Sequence, residues 1–78
     1  MIDTKHQMEE LCAFLAEYTG FAKVDPSCRI DQLVSDSLEF LAMMADVQGE
    51  FKKLVPDEKY EQIKTVADLG RILFEVPS

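Results

Sequence analysis

Apolar residues along the chain fall into helical rather than strand-like patterns. Met8, Leu11, Cys12, Leu15 and Tyr18 recur at three- and four-residue spacing with Phe14 beside them, which places them on one face of a helix expected from about Lys5 to Thr19. Thr4 and Gln7 suit a capping pair at its start, and Gly20 suits a stop. From Gly20 to Ser35 no period is sustained, and Asp25-Pro26-Ser27 marks a turn because the residue before a proline is pushed out of helical geometry. This stretch reads as a long loop pinned across the helix ends by Phe21, Val24, Ile30 and Leu33. A second helix is expected from Ser37 to about Lys52 and is apolar nearly all round. Leu41, Met44 and Phe51, with either Met43 or Val47, are its expected inward stripe, which leaves Leu38 and either Phe40 or Ala45 partly exposed. Pro56-Asp57-Glu58 starts a short third helix that buries Tyr60 and Ile63. Thr65 and Asp68 cap a fourth, with Val66, Leu69, Ile72, Leu73 and Val76 as its inner face and Pro77 at its end.

The pattern predicts one all-α domain over residues 1–78, a small four-helix bundle with three main helices, one short helix and a long loop between helices 1 and 2. At 78 residues the chain is near the size where a single core only just supports folding, so its 47% hydrophobic content must be used efficiently. No apolar run approaches the roughly 18 residues needed to cross a bilayer, and Met1-Ile2-Asp3-Thr4-Lys5-His6 lacks the apolar segment of a secretion signal, so a cytoplasmic protein is expected. Cys12 and Cys28 are too few and too oddly placed for a disulfide framework or a zinc site and read as reduced, structural thiols. A net charge of −7 disfavours nucleic acid and anionic membrane surfaces. Between Ile30 and Phe51 stand five acids, Asp31, Asp36, Glu39, Asp46 and Glu50, and no Lys or Arg, so the field over this segment favours a basic partner.

The chemistry concentrates at Asp36-Ser37-Leu38-Glu39. Asp36 is a good N-cap, and Glu39 three residues later can reach back in the manner of a capping box. Ser37 then occupies the first helical position, its hydroxyl pointing outward from the helix tip between two carboxylates, with no His or Lys nearby in sequence to deprotonate it. Such a serine is a poor nucleophile and a good attachment point. A small hydrolase using Ser37 or a cysteine lacks an evident base, because the one histidine, His6, is remote in sequence and off the ridge of Cys12. No catalytic residue and no metal ligand is expected.

Four segments carry a resemblance over nearly the whole chain. Leu33-Val34-Ser35-Asp36-Ser37-Leu38-Glu39 resembles the attachment motif of the acyl carrier proteins, and Glu50-Phe51 falls at the spacing of that family's helix-ending acidic-Phe pair. Val55-Pro56-Asp57-Glu58 is similar to its hydrophobic-Pro-Asp-Glu turn, and Ile63 to Leu69 resembles the Thr-Val start of its last helix. The resemblance implies a carrier that is not itself an enzyme. A phosphopantetheinyl transferase would attach 4'-phosphopantetheine from coenzyme A to Ser37, and the arm's thiol would carry acyl groups as thioesters between enzymes of fatty-acid, polyketide or related biosynthesis. It implies a monomer whose acyl-loading and acyl-processing partners carry basic docking patches. Those partners would meet a face formed by Asp36, Leu38, Glu39, Phe40, Leu41 and Ala45, and Asp36 would lie near the transferase's magnesium.

Departures from the family pattern refine this expectation. Val34 stands where the family usually has glycine, and Ala42, Gln48 and Gly49 stand where its housekeeping fatty-acid carriers tend to be acidic. Phe40 adds a bulky apolar group beside the arm. These differences weaken generic electrostatic docking and point to a stand-alone carrier serving a specialised pathway. The alternative is an acidic helical interaction adaptor without a prosthetic group. Whether cargo is sheltered in the bundle stays open: Met43 and Met44, with Ala42 and Ala45, leave adaptable space or form ordinary core.

Overall fold

The computed structural model describes residues 4–75. Its helices are α1, Thr4–Thr19; α2, Ile30–Leu33; α3, Ser37–Phe51; a 3-10 helix, Asp57–Gln62; and α4, Val66–Glu75. Three main helices with short additional turns form the expected all-α bundle. The side chain of Thr4, expected to cap α1, and Val76 and Pro77, expected to close α4, lie outside the described residues.

Local chemistry sets most boundaries. Gly20 closes α1 in the left-handed region at φ 79°, and its N–H donates to Ala16 O at 2.9 Å. At the head of α4, Asp68 N–H donates to Thr65 Oγ1 at 3.2 Å while the Asp68 carboxylate accepts from Thr65 N–H at 3.2 Å, a reciprocal capping box. Lys52 ends α3 in the left-handed region at φ 56°.

The core is formed by Leu11, Cys12 and Leu15 of α1, Ile30 and Leu33 of α2, Met43, Met44 and Val47 of α3, and Val66, Leu69, Ile72 and Leu73 of α4, with Val24, Val55 and Ile63 from the connections. Gly70 lets α1 approach α4 closely, because Met8 Cε and Sδ occupy the space a Cβ there would need. At the far end of α3, Phe51 meets Phe14 edge-on at 6.0 Å and Phe74 at 5.5 Å.

The structure corrects several expectations. The long loop contains a helix, the single turn α2, and it is tied to the chain ahead of α4 by backbone bonds around an isolated antiparallel bridge between Arg29 and Thr65. Ile30 N–H donates to Lys64 O, Val66 N–H to Cys28 O and Ala67 N–H to Pro26 O, each at 2.9 Å. Val24, Ile30 and Leu33 anchor this loop as expected, but Phe21 is 46% exposed. Tyr18 is also turned out, stacked on Phe14 with its ring 6.3 Å away. The inward stripe of α3 is rotated from the expected one: Met43, Met44 and Val47 are all fully buried, whereas Leu41 is 49% exposed. The third helix has 3-10 geometry, with Pro56 just ahead of its first residue and Tyr60 only half-buried.

Candidate functional site

Ser37 opens α3 at the mouth of a groove, and the local sequence fixes it there. Asp36 is extended at φ −152° and ψ 179°, and its Oδ1 accepts the Glu39 N–H at 2.9 Å. Phe40 N–H donates to Asp36 O at 3.0 Å, and Glu39 Oε2 reaches back to accept the Ser35 N–H at 3.0 Å. Two carboxylates thus staple the backbone on either side of Ser37 without touching its hydroxyl. Ser37 is exposed, and no hydrogen-bond partner holds its Oγ among the described residues. The sequence places the expected cap and the expected serine correctly.

Beside Ser37 lies a groove of about 480 Å³. Val34, Phe40, Tyr60 and Ile63 supply its apolar surface, and Arg29, Asp31, Asp36 and Lys64 supply its exposed, charged rim. The Phe40 and Tyr60 rings meet edge to face at 5.6 Å and 87°. Tyr60 Oη accepts from Gln48 Nε2 at 3.1 Å, and Gln48 also donates to Met44 O at 3.0 Å and accepts the Val55 N–H at 2.6 Å. Gln48 therefore locks the 3-10 helix and the strap before it to α3.

Sequence reasoning missed three parts of this site. Arg29 and Lys64 come to the groove only because the bridge between Arg29 and Thr65 joins their segments, a long-range pairing with no local signature. Arg29 is itself held by Asp31, Nη2 to Oδ2 at 2.9 Å, and that pairing raises the guanidinium pKa and lowers the carboxyl's. Gln48 was the third, since a lone polar residue in an apolar helix reads as surface.

The expected docking residues mostly share one outer face of α3. Leu38 is 78% exposed, Leu41 and Ala45 are also exposed, and Ala42 and Gly49 extend the same stripe. Glu39, Asp46 and Glu50 recur at helical spacing along one edge of it and are all exposed. Phe40 does not belong to this face: it is half-buried against Tyr60.

Other chemistry is weak. The two thiols are unpaired, and the pKa of Cys12 is raised by burial first and then by Asp25 and Cys28, the reverse of an activated nucleophile. Among the described residues no cluster of three His, Cys, Asp or Glu side chains is disposed to hold a metal ion. A larger groove of about 670 Å³, between α1 and residues 22–26, shares no residue with the Ser37 groove.

No family model matches the chain. Among solved structures, the crystal structure of an acyl carrier protein from Thermotoga maritima superposes with a TM-score of 0.72 at 23% sequence identity, covering 94% of this chain and 88% of that one. The fold is therefore that of an acyl carrier protein.

Proposed function

We propose that this chain is an acyl carrier protein whose Ser37 receives 4'-phosphopantetheine. The observation that carries the reading is an exposed serine hydroxyl, stapled at a helix tip and engaged by no neighbour among the described residues, in a fold of the acyl-carrier type. The surroundings suit a phosphate-bearing arm. The N-terminus of α3 presents partial positive charge at Ser37, and Lys64 lines the adjoining groove beside the Arg29–Asp31 ion pair.

In the transfer, Ser37 Oγ attacks the phosphorus that bears the pantetheine in coenzyme A. The new Oγ–P bond forms as the pyrophosphate P–O bond breaks, adenosine 3',5'-bisphosphate leaves, and the serine proton passes to a base of the visiting transferase. Asp36, whose Oδ1 caps α3 by accepting the Glu39 N–H, is the residue of this chain that would lie near the transferase's magnesium. Once attached, the arm supplies a thiol that holds acyl groups as thioesters. The residues of this chain hold the attachment point rigid, keep it in water and present the outer face of α3 to each enzyme in turn.

The carrier itself performs no catalysis. It works as a cytoplasmic monomer, and its partners are the transferase and acyl-loading and acyl-processing enzymes with basic patches that meet Asp36, Leu38, Glu39, Leu41 and Ala45. Among the described residues no helix is long and apolar enough to cross a membrane. The bare apolar stripe on α3, uncharged at Ala42 and Gly49, favours a specialised pathway over the main fatty-acid cycle, while Gln48 is turned inward towards Tyr60 and Val55. Slower elongation on this carrier than on their own by purified fatty-acid synthase enzymes is the expected result.

Intact mass after incubation with coenzyme A and a broad-specificity transferase tests the assignment. One phosphopantetheine is gained by the natural protein and none by Ser37→Ala. The same apolar stripe also suits an adaptor with an unmodified serine. That reading predicts no mass change and partner binding indifferent to Ser37→Ala.

A further inference from the structure

We propose that Phe40 and Tyr60 form a closed gate between Ser37 and the bundle interior, so that cargo stays in the outer groove and the carrier is matched to short or polar acyl groups. This inference rests on the carrier reading of Ser37.

The route inward follows one ridge of α3. Residues three and four apart are neighbours on a helix surface, so Ser37, Phe40, Met44 and Val47 stand in a row from the solvent-exposed tip to the fully buried core. A chain tethered at Ser37 meets Phe40 first. That ring is clamped from the opposite wall by Tyr60, edge to face at 5.6 Å. Tyr60 in turn is fixed through its hydroxyl to Gln48, 3.1 Å away, whose other contacts hold Met44 O and the Val55 N–H. The gate is thus braced by α3, the 3-10 helix and the strap between them. Behind it, Met43, Met44 and Val47 are already fully enclosed.

What remains for cargo is the outer groove. Its rim carries Arg29, Asp31, Asp36 and Lys64, and its apolar surface is limited to a few side chains. Groups with hydrogen-bonding substituents suit that mixed lining, whereas a long alkyl chain would leave most of its methylenes in water.

The test loads Ser37 directly from acetyl- or octanoyl-coenzyme A with a broad-specificity transferase and confirms each product by mass. Melting temperature and methyl-labelled NMR signals of Met43 and Met44 are then compared between the two loaded forms. In the natural protein the two forms are expected to melt within about 2 °C of each other, because each methylene buried in a domain of this size adds several degrees. The Met43 and Met44 signals are expected to be the same in both. In Phe40→Ala and Tyr60→Ala the octanoyl form is expected to melt higher than the acetyl form of the same variant and to shift the Met44 signal. Comparing loaded forms within one variant removes the stability lost with the ring, and Phe40→Ala preserves the bond between Tyr60 and Gln48.

Octanoyl-dependent stabilisation or Met44 shifts in the natural protein overturn the gate and leave the carrier reading standing. Variants that ignore cargo length also overturn it, since something other than the rings then keeps the chain out. Failure of Ser37 to load from either donor overturns the carrier reading and the gate with it.

Discussion

Replacing Gln48 by alanine tests the organisation of the site most directly, because one side chain ties α3 to both segments that follow it. Gln48 Oε1 accepts the N–H of Val55, a residue only 4% exposed, at 2.6 Å, and Gln48 Nε2 donates to Tyr60 Oη at 3.1 Å. Alanine leaves the Val55 N–H without its acceptor, at a cost of about 1–3 kcal/mol, and removes the Tyr60 bond, worth about 1 kcal/mol. Gln48 is half-buried, so water can enter and offset part of this loss. A net destabilisation of about 2 kcal/mol is expected. In a domain of this size that lowers the melting temperature by roughly 8–16 °C. Urea titration followed by far-ultraviolet circular dichroism should show it as an earlier midpoint with an unchanged slope. Gln48→Glu retains both bonds. A carboxylate still accepts from Val55, and the Tyr60 hydroxyl can turn to donate, but donation to Met44 O is replaced by a contact between two acceptors, so the destabilisation should be smaller than that of alanine without vanishing. A loss within about 0.5 kcal/mol for Gln48→Ala would refute the bracing role. Equal losses for the two variants would show that the Val55 and Tyr60 bonds are not the dominant contacts.

Three further outcomes follow from burial and capping. Met44→Ala should cost about 2–5 kcal/mol in urea titration, and Leu41→Ala, at a half-exposed position, about 1 kcal/mol or less; the opposite order would mean that α3 is rotated. Asp36→Ala should lose about 1 kcal/mol of cap and slow phosphopantetheine transfer, whereas Ser37→Ala should abolish transfer with stability within about 0.5 kcal/mol of the natural protein. The Asp68 carboxyl is held below its ordinary range first by the Lys64 N–H and then by the Thr65 N–H and hydroxyl. A pKa depressed by folding contributes stability that is complete above the unfolded value and is lost as pH falls through the folded one. Asp68→Asn should therefore be less stable at neutral pH and converge on the natural protein in acid; a pH-independent difference in chemical denaturation would disprove that linkage.

The parts of this fold that were legible in sequence are those specified within a few residues. Asp36 with Glu39, Thr65 with Asp68, and Gly20 mark helix ends because capping is local chemistry, and each stands where its side chain or backbone freedom is used. The phase of α3 was not legible. A helix apolar nearly all round has no unique inward stripe, and its orientation is settled by the ring contact between Phe40 and Tyr60 and by the inward bond of Gln48. Exposure of Leu41 follows from that choice. The turn α2 escaped because four residues cannot display a helical period and because Arg29, at its N-cap, is not a usual capping residue. Its first backbone bond outside the helix goes from Ile30 N–H to Lys64 O, thirty-four residues away in sequence, and the same pairing builds the charged rim of the groove.

α3 separates what holds the fold from what faces solvent. Its inner edge is the fully buried Met43, Met44 and Val47, its tip is Ser37, and its outer face is the exposed stripe through Leu38, Leu41 and Ala45. Because these surfaces share a backbone and few side chains, the outer stripe can change without emptying the core, and the tip can be modified without moving the stripe. Phe40 and Gln48 are the exceptions, since each lies between surfaces and is engaged with Tyr60. A substitution at either therefore acts on stability and on the groove beside Ser37 together. A substitution at Leu38 or Ala45 acts on the outer face alone, because both side chains are exposed to solvent.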